Sequence, residues 1–563
     1  MKYVFLLLLL LLFCWVAAQD PGRNDVVIHE IFADPTPSRG MPASEFIEIR
    51  NRSGTPWNLK NWSLSNGTST GKINASFLLK PDSMVILCGS SASASFQQLG
   101  ATLSVSSFPS LDNDGDTLTI LSPSGIAVHA VAWNRTWYGS DIKQEGGWSL
   151  EMIDITKPCL EIENWTASND IRGATPGKKN SVQSNIADTI PPSLLYAYLK
   201  DSVTAALLFS RPLANSMNWQ AVTIPSVAIT SMTLKPPLFK ILELNFAVPQ
   251  KAEEQITIKL NSVTGCSGIA SAPQSTVAGL FSPAIKNDIV VNEILFNPPT
   301  GGHDYLELYN YSKKNIDVGE LQIANRNGDN KISSITKLSD FPFPILPGEY
   351  VLISTNNDWV KQRFRPPALI KALQLSSMPT YPDDQGEVIV LNDAGEIVDE
   401  LDYDEKWHFA LVSDKEGISL ERIQPGARTN DPFNWHSAST SSGYGTPGYR
   451  NSQVLPEQKL PGSISLSQGI ISPDMDGRDD YLLINYQFPK PGSVATITAF
   501  DSRGRAIRSI TKAALCGSSG SFRWDGLDNS GTIPPSGVYI ILTEVFDLQG
   551  ITKKYRHTVA IYR

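Results

Sequence analysis

The sequence predicts an all-β protein built from about four β-sandwich domains in tandem. Three observations lead there: the length, the turn-rich pattern of short apolar runs, and a long internal repeat. The 563 residues correspond to about four domains of ordinary size. Hydrophobic residues make up 41% and charged residues 18%, so the chain can bury cores and does not read as disordered. With 40 Gly and 38 Pro among many Ser, Thr and Asn, turn signals recur too often for long amphipathic helices.

Residues 1–18 read as an export signal. Met1-Lys2-Tyr3 is a short positive start, residues 4–15 are apolar with leucine at every position from 6 to 12, and Val16-Ala17-Ala18 supplies small residues before Gln19. The run is shorter than the roughly 20 residues a spanning helix needs. Cleavage before Gln19 is therefore expected over an uncleaved anchor, and bulky Phe13 argues against lipidation of Cys14. No later stretch has 18 consecutive apolar residues, so no transmembrane segment is expected in the mature chain. The expected location is outside the cytoplasm, secreted or on the outer cell surface. Losing residues 1–18 removes one charge, Lys2, and takes the formal charge from −9 to −10. An acidic chain without a Lys/Arg cluster argues against nucleic-acid binding by phosphate neutralisation.

The repeat is the most informative feature. Asp25-Val-Val-Ile-His-Glu-Ile31 returns as Asp288-Ile-Val-Val-Asn-Glu-Ile294, and Glu45-Phe-Ile-Glu-Ile-Arg-Asn51 as Asp304-Tyr-Leu-Glu-Leu-Tyr-Asn310. From Pro109 to Trp165 the second copy follows at a constant offset of 270: Trp137 pairs with Trp407, Ser149-Leu-Glu151 with Ser419-Leu-Glu421, and Asn164-Trp165 with Asn434-Trp435. After one inserted residue, Thr175-Pro-Gly177 pairs with Thr446-Pro-Gly448. The period is too long for a solenoid, so a whole domain is duplicated. Each copy reads as short strands, near residues 26–31, 45–50, 83–87, 117–121 and 126–133 in the first. Phe46, Ile47 and Ile49 around Glu48 fit a strand better than a helix. The Thr-Pro-Gly turn closes each copy.

These motifs resemble the lamin tail domain in its bacterial secreted form. The resemblance rests on the Asn/His-Glu-Ile opening, the Glu-Phe-Ile-Glu-Ile-x-Asn strand, Pro109-Ser-Leu-Asp-Asn-Asp-Gly-Asp-Thr-Leu118, Trp148-Ser-Leu-Glu151 and the closing Thr-Pro-Gly. It implies an Ig-like β-sandwich without catalytic machinery. The second copy rewrites the Asn-Asp-Gly-Asp turn as Tyr381-Pro-Asp-Asp-Gln-Gly386. Between the copies, Phe209-Ser-Arg-Pro-Leu213 and Gly265-Cys-Ser-Gly268 resemble bacterial Ig-like domains of surface-layer and adhesin proteins, with Arg211 where an acidic residue is usual. The series Ala499-Phe-Asp-Ser-Arg-Gly-Arg505, Trp524-Asp-Gly526 and Gly537-Val-Tyr539 resembles a flagellar-hook-capping type Ig-like domain and the terminal sorting domains of surface proteins. That second likeness implies export by a type IX-like route. The expected organisation is a signal over 1–18, lamin-tail-like domains over 25–182 and 288–453, an Ig-like domain over 187–285 and an Ig-like sorting domain over 455–563: four tandem Ig-like β-sandwiches.

No catalytic constellation stands out. The six histidines lack metalloprotease or zinc-finger spacing, and no nucleophile elbow, P-loop or dinucleotide fingerprint occurs. Glu30 and Glu48 recur as Glu293 and Glu307. Paired carboxylates can act as acid and base or hold a cation, but no histidine or third acid travels with them, which favours a structural role on backbone N–H groups. Asp474, Asp476, Asp479 and Asp480 surround a Gly-permitted turn, and two readings stand: hard oxygens for Ca²⁺ or an Asx-rich turn. Asp112, Asp114 and Asp116 are a weaker instance. Trp57, Trp62, Trp133, Trp137, Trp148 and Trp165 fit core packing better than a sugar-binding face.

Four cysteines remain after the signal: Cys88, Cys159, Cys266 and Cys516. Cys88 and Cys159 are both present in the first copy, and both are replaced in the second, by Ser354 and Thr429. Paired presence and absence suggests a disulfide, Cys88–Cys159, inside the first repeat. Cys266 and Cys516, in different domains, are expected to stay free. No cofactor is implied beyond the candidate Ca²⁺. The expected function is non-enzymatic binding, adhesion or scaffolding, with an extracellular protein or glycan as partner. The alternatives are a polysaccharide-binding accessory component of a secreted hydrolase system and an enzyme of unrecognised type.

Overall fold

A computed structural model describes residues 20–562 except 216–220, 226, 252–253, 368, 456–461 and 548. The export signal over 1–18 and Gln19 lie outside the described residues. Strand accounts for 42% of the chain and helix for 7%, so the protein is all-β. Two compact units form, one ending at Leu280 and the other beginning at Phe281.

In the first repeat a single ten-stranded sheet wraps the core. Its central strands run Met84–Gly89, Phe46–Asn51, Val26–Phe32 and Leu150–Met152, and Gly115–Leu121 with Ala127–Asn134 form one edge. The sheet curls far enough for Asn24 to donate its N–H to the carbonyl of Val128 at that edge. Strands Thr70–Ile73 and Thr102–Ser106 join the two halves. Gly71 permits this, because a Cβ there would lie 2.7 Å from the Ser107 carbonyl oxygen. The second repeat keeps its layers separate: a six-stranded sheet built on Ile289–Leu295 and Tyr305–Asn310, and a four-stranded sheet built on Leu321–Arg326, Gln385–Asn392 and Ile397–Asp404. Each repeat has its own core, around Trp62, Trp133 and Trp165 in the first and Trp435 and Tyr403 in the second.

The segment after the first repeat forms a four-stranded sheet and a three-stranded sheet around Phe209, Leu244 and Ile258. Strand Gln255–Leu260 shows the cause: Ile256, Ile258 and Leu260 are buried while Gln255, Thr257 and Lys259 face water. The last segment pairs a three-stranded and a five-stranded sheet over Trp524, Ile541 and Ile497.

The cysteine pairing differs from the expectation. Cys159 bonds Cys266, with Cα atoms 5.9 Å apart, whereas Cys88 and Cys516 are buried free thiols. Cys88 lies opposite Phe46 in the sheet and packs with Phe32, Phe46 and Phe96. Burial pushes its thiol up to about 11. Cys159 instead sits in the loop after Leu150–Met152, at the junction with the next sandwich. The two absences in the second repeat have separate causes. Ser354 donates to the Asp304 carbonyl at 2.7 Å, and Thr429 donates to Asp399 at 2.5 Å.

Candidate functional site

The duplicated carboxylates form a ladder across three neighbouring strands. Glu48, Glu30 and Glu151 lie side by side in register in the first repeat, and Glu307, Glu293 and Glu421 in the second. All six are fully buried. Glu151 and Glu421 extend the pair read from sequence; the signal was present in the duplicated Ser-Leu-Glu motif. A one-residue bulge beside Glu30, and another beside Glu293, keeps the ladder aligned. The bulge N–H groups are satisfied from across the core, Ile28 by His129 Nδ1 at 3.2 Å and Val291 by Asp399 at 2.8 Å. Burial holds His129 neutral, down to about 3, which keeps Nδ1 free to accept.

The ladder grips the closing turn. Thr175 donates its N–H to Glu30 Oε1 at 2.7 Å and Gly177 to Glu48 Oε1 at 2.7 Å; the Thr175 hydroxyl reaches Glu151 at 2.8 Å. In the second repeat Thr446 donates to Glu293 at 2.8 Å, Gly448 to Glu307, and the Thr446 hydroxyl to Glu421 at 2.8 Å. Gly177 and Gly448 are required here. Both have positive φ, and a Cβ on Gly177 would strike the Leu99 carbonyl at 2.3 Å.

Three adjacent buried carboxyls cannot all stay ionised. Burial, then the Glu48 and Glu151 charges, raise Glu30 well above the usual range. Burial and the Glu293 charge raise Glu307 well above it and Glu421 to about 8. The copies solve the excess charge differently. His29 Nδ1 faces Asn180 Oδ1 at 3.1 Å and Nε2 lies 3.2 Å from Glu48. In the second repeat Asn292 donates to Glu307 at 2.7 Å, and the Tyr305 hydroxyl donates to Glu293 at 2.7 Å. Acid–base chemistry on a substrate needs an accessible carboxyl; these are closed over by backbone and serve as fasteners.

The acidic loop near the C-terminus brings together three of its four aspartates. Ligand oxygens of Asp474, Asp476 and Asp480 lie within 4.8 Å of one another; Asp479 is outside the group. Asp480 accepts from the N–H groups of Met475 at 2.7 Å and Gly477 at 2.9 Å, and Asp476 from Arg478 at 2.7 Å. The Asp476 bond is an Asx-turn bond, whereas Asp480 reaches back across the loop; the oxygen set also suits Ca²⁺. Asp112, Asp114 and Asp116 form no such group among the described residues. Of the tryptophans, Trp62, Trp133, Trp137 and Trp165 are buried in the first core, with Trp57 and Trp148 packed against it.

The junction after the first repeat is fastened on several sides. Besides Cys159–Cys266, Arg211 pairs with Glu163 at 2.5 Å and Asp188 at 3.5 Å, and Lys240 pairs with Glu161 at 2.6 Å. The Arg23 guanidinium lies over Phe239, 4.0 Å from the ring centroid. Arg211, the departure from the usual acidic residue, thus has its use at this junction.

Both repeats match the Lamin Tail Domain. The matched residues are 19–135 and 282–405, less than half of the chain. Each lamin tail match ends before the third glutamate and the closing turn, which the clasp binds to the matched strands. No curated protein matches the chain. Among solved structures, the S-layer protein SbsC is 9% identical over 66% of this chain and 54% of its own, with a TM-score of 0.15. A tetra-tandem repeat from the extending region of a large adhesion protein is 10% identical over 95% of this chain and 98% of its own, with a TM-score of 0.13. A Ca²⁺-stabilised adhesin with which an Antarctic bacterium binds ice is 7% identical over 96% of this chain and 100% of its own, with a TM-score of 0.12. At such scores these likenesses carry no functional argument.

Proposed function

We propose that this is a non-enzymatic binding, adhesion or scaffold protein of the cell exterior, carrying two lamin tail repeats. One observation carries the reading. Both repeats spend their duplicated, motif-bearing carboxylates on the backbone of a closing turn, so the motif builds shape and leaves function to exposed surface. The Cys159–Cys266 bond between successive sandwiches supports an oxidising compartment. The N-terminal 1–18 pattern supplies the export step. No helix among the described residues is long and apolar enough to cross a membrane. The final sandwich, residues 455–563, serves as the sorting element.

Protease shaving of intact cells tests this reading. The full-length protein is expected to be digested without lysis, and a chain lacking 455–563 to be protected inside the envelope. Equal protection of both forms until lysis contradicts surface display. Turnover in a broad hydrolase screen that disappears on changing one acidic residue contradicts the non-enzymatic part.

A further inference from the structure

The two repeats share a clasp but differ beside it. Along strand Tyr305–Asn310, alternate residues Tyr305, Glu307 and Tyr309 share the face away from the core. Tyr305 is covered by helix Asn357–Phe364, its ring 5.4 Å from Phe364, and Glu307 is covered by Gly448. The cover ends there. Tyr309 is only half-buried; its ring lies 4.8 Å from Tyr350 and 6.5 Å from Tyr311, which is 51% exposed. These three rings, with Gln424, Pro425 and Arg450, line a groove of about 930 Å³. That size suits a small-ligand site.

The first repeat has none of these three rings at the matching positions. Its counterparts are Arg50, Arg52 and Met84, and Arg50 is neutralised by Asp82 at 2.5 Å. A cross-strand aromatic pair could stabilise the sheet by itself, and Tyr309 does lie opposite Tyr350. Tyr311 lies past the strand end, outside that cross-strand pair. The three hydroxyls make no hydrogen bond among the described residues, and Arg450 is the one charged side chain lining the groove among them. Flat aromatic faces edged by free hydroxyls and an amide suit the alternating C–H and hydroxyl surface of a sugar ring. A proline-rich helix wants apolar slots between rings, and the acidic chain disfavours nucleic acid.

We propose that the tyrosine-lined groove of the second repeat is a saccharide-binding site. The proposal rests on the reading of an extracellular binding protein and names its ligand class. The test uses the full mature chain against immobilised cellohexaose and mannohexaose (neutral), hexagalacturonate (acidic) and a proline-rich peptide. Binding to at least one oligosaccharide is expected, weakened at least about tenfold by Tyr311→Ala, a loss typical of an aromatic anchor. Tyr309→Arg, which installs the residue of the first repeat, should do the same. Arg450→Gln should weaken only the acidic probe. Unchanged thermal melting of Tyr311→Ala separates loss of binding from loss of fold. No retained oligosaccharide, binding indifferent to both tyrosine changes, or binding of the peptide alone overturns the proposal. Protease shaving of the same strain reads surface display independently, so a failed groove and a failed location are told apart.

Discussion

Thr175 donates its backbone N–H to Glu30 Oε1 at 2.7 Å, across 145 residues of chain, and Thr446 repeats the bond to Glu293 at 2.8 Å. The contact explains why a Glu and a Thr-Pro-Gly turn far apart in sequence were duplicated together. The end of each repeat is held by its beginning.

Removing the clasp should loosen the closing segment. Glu30→Ala leaves the Thr175 N–H without its acceptor in a buried place and the Ser149 hydroxyl with only its long bond to the Gly173 carbonyl. An unsatisfied buried donor costs about 1–3 kcal/mol, so a loss of ~2 kcal/mol or more is expected. Glu30→Gln, which mimics the protonated carboxyl, should cost clearly less. Hydrogen exchange at the Thr175 and Gly177 amides reads this directly. Equal exchange in wild type and Glu30→Ala contradicts the clasp.

The ladder also sets a pH dependence. Glu421 has its folded value raised from 4.5 to about 8, first by burial and then by the Glu293 charge. The folded state therefore holds a proton that the unfolded state releases, and stability falls as pH rises from about 4.5 to 8. Glu293 on the neighbouring strand and Glu307 one strand further along, both also raised, act in the same direction. The melting transition of the second repeat should move down between pH 5 and pH 8, and Glu421→Gln should flatten that slope. A transition that rises over this range contradicts the assignment.

The junction between the first repeat and the next sandwich is expected to open in steps. Cys159–Cys266 spans 107 residues, and the chain-entropy account gives such a bridge at most about 4–5 kcal/mol. Reduction should leave both cores folded while speeding proteolysis within residues 183–193; adding Arg211→Ala should speed it further. Cleavage indifferent to reductant and to Arg211 contradicts a fastened junction.

The acidic loop offers a clean choice between its two readings. If Asp474, Asp476 and Asp480 hold Ca²⁺, adding Ca²⁺ should raise the melting temperature of the last sandwich, chelation should reverse it, and Asp476→Asn should abolish the response. Asp479→Asn should leave it, since Asp479 is outside the converging group. A response that is absent in wild type assigns the loop to an Asx turn.

Much of this was legible in the sequence because it was written twice. Duplication exposed the strands bearing Glu30 and Glu48, the Ser-Leu-Glu motif and the closing turns, and the tryptophans packed as their positions beside strands suggested. The single curled sheet of the first repeat was not legible, since it depends on how closely Gly71 lets two strands approach. The pairing of Cys159 was misread because both partners were sought within one domain, whereas its bond leaves the repeat. The tyrosine groove was invisible for the opposite reason: it is where the copies differ, and comparison of copies selects what they share.

The most direct test of the account is a non-reducing peptide map of the protein captured by surface biotinylation of intact cells. A chain beginning at Gln19, with Cys159 and Cys266 in one bonded peptide pair and Cys88 and Cys516 as free thiols, is the predicted result. Absence of the protein from the biotinylated fraction, or a chain retaining Met1 with free thiols at Cys159 and Cys266, would contradict it.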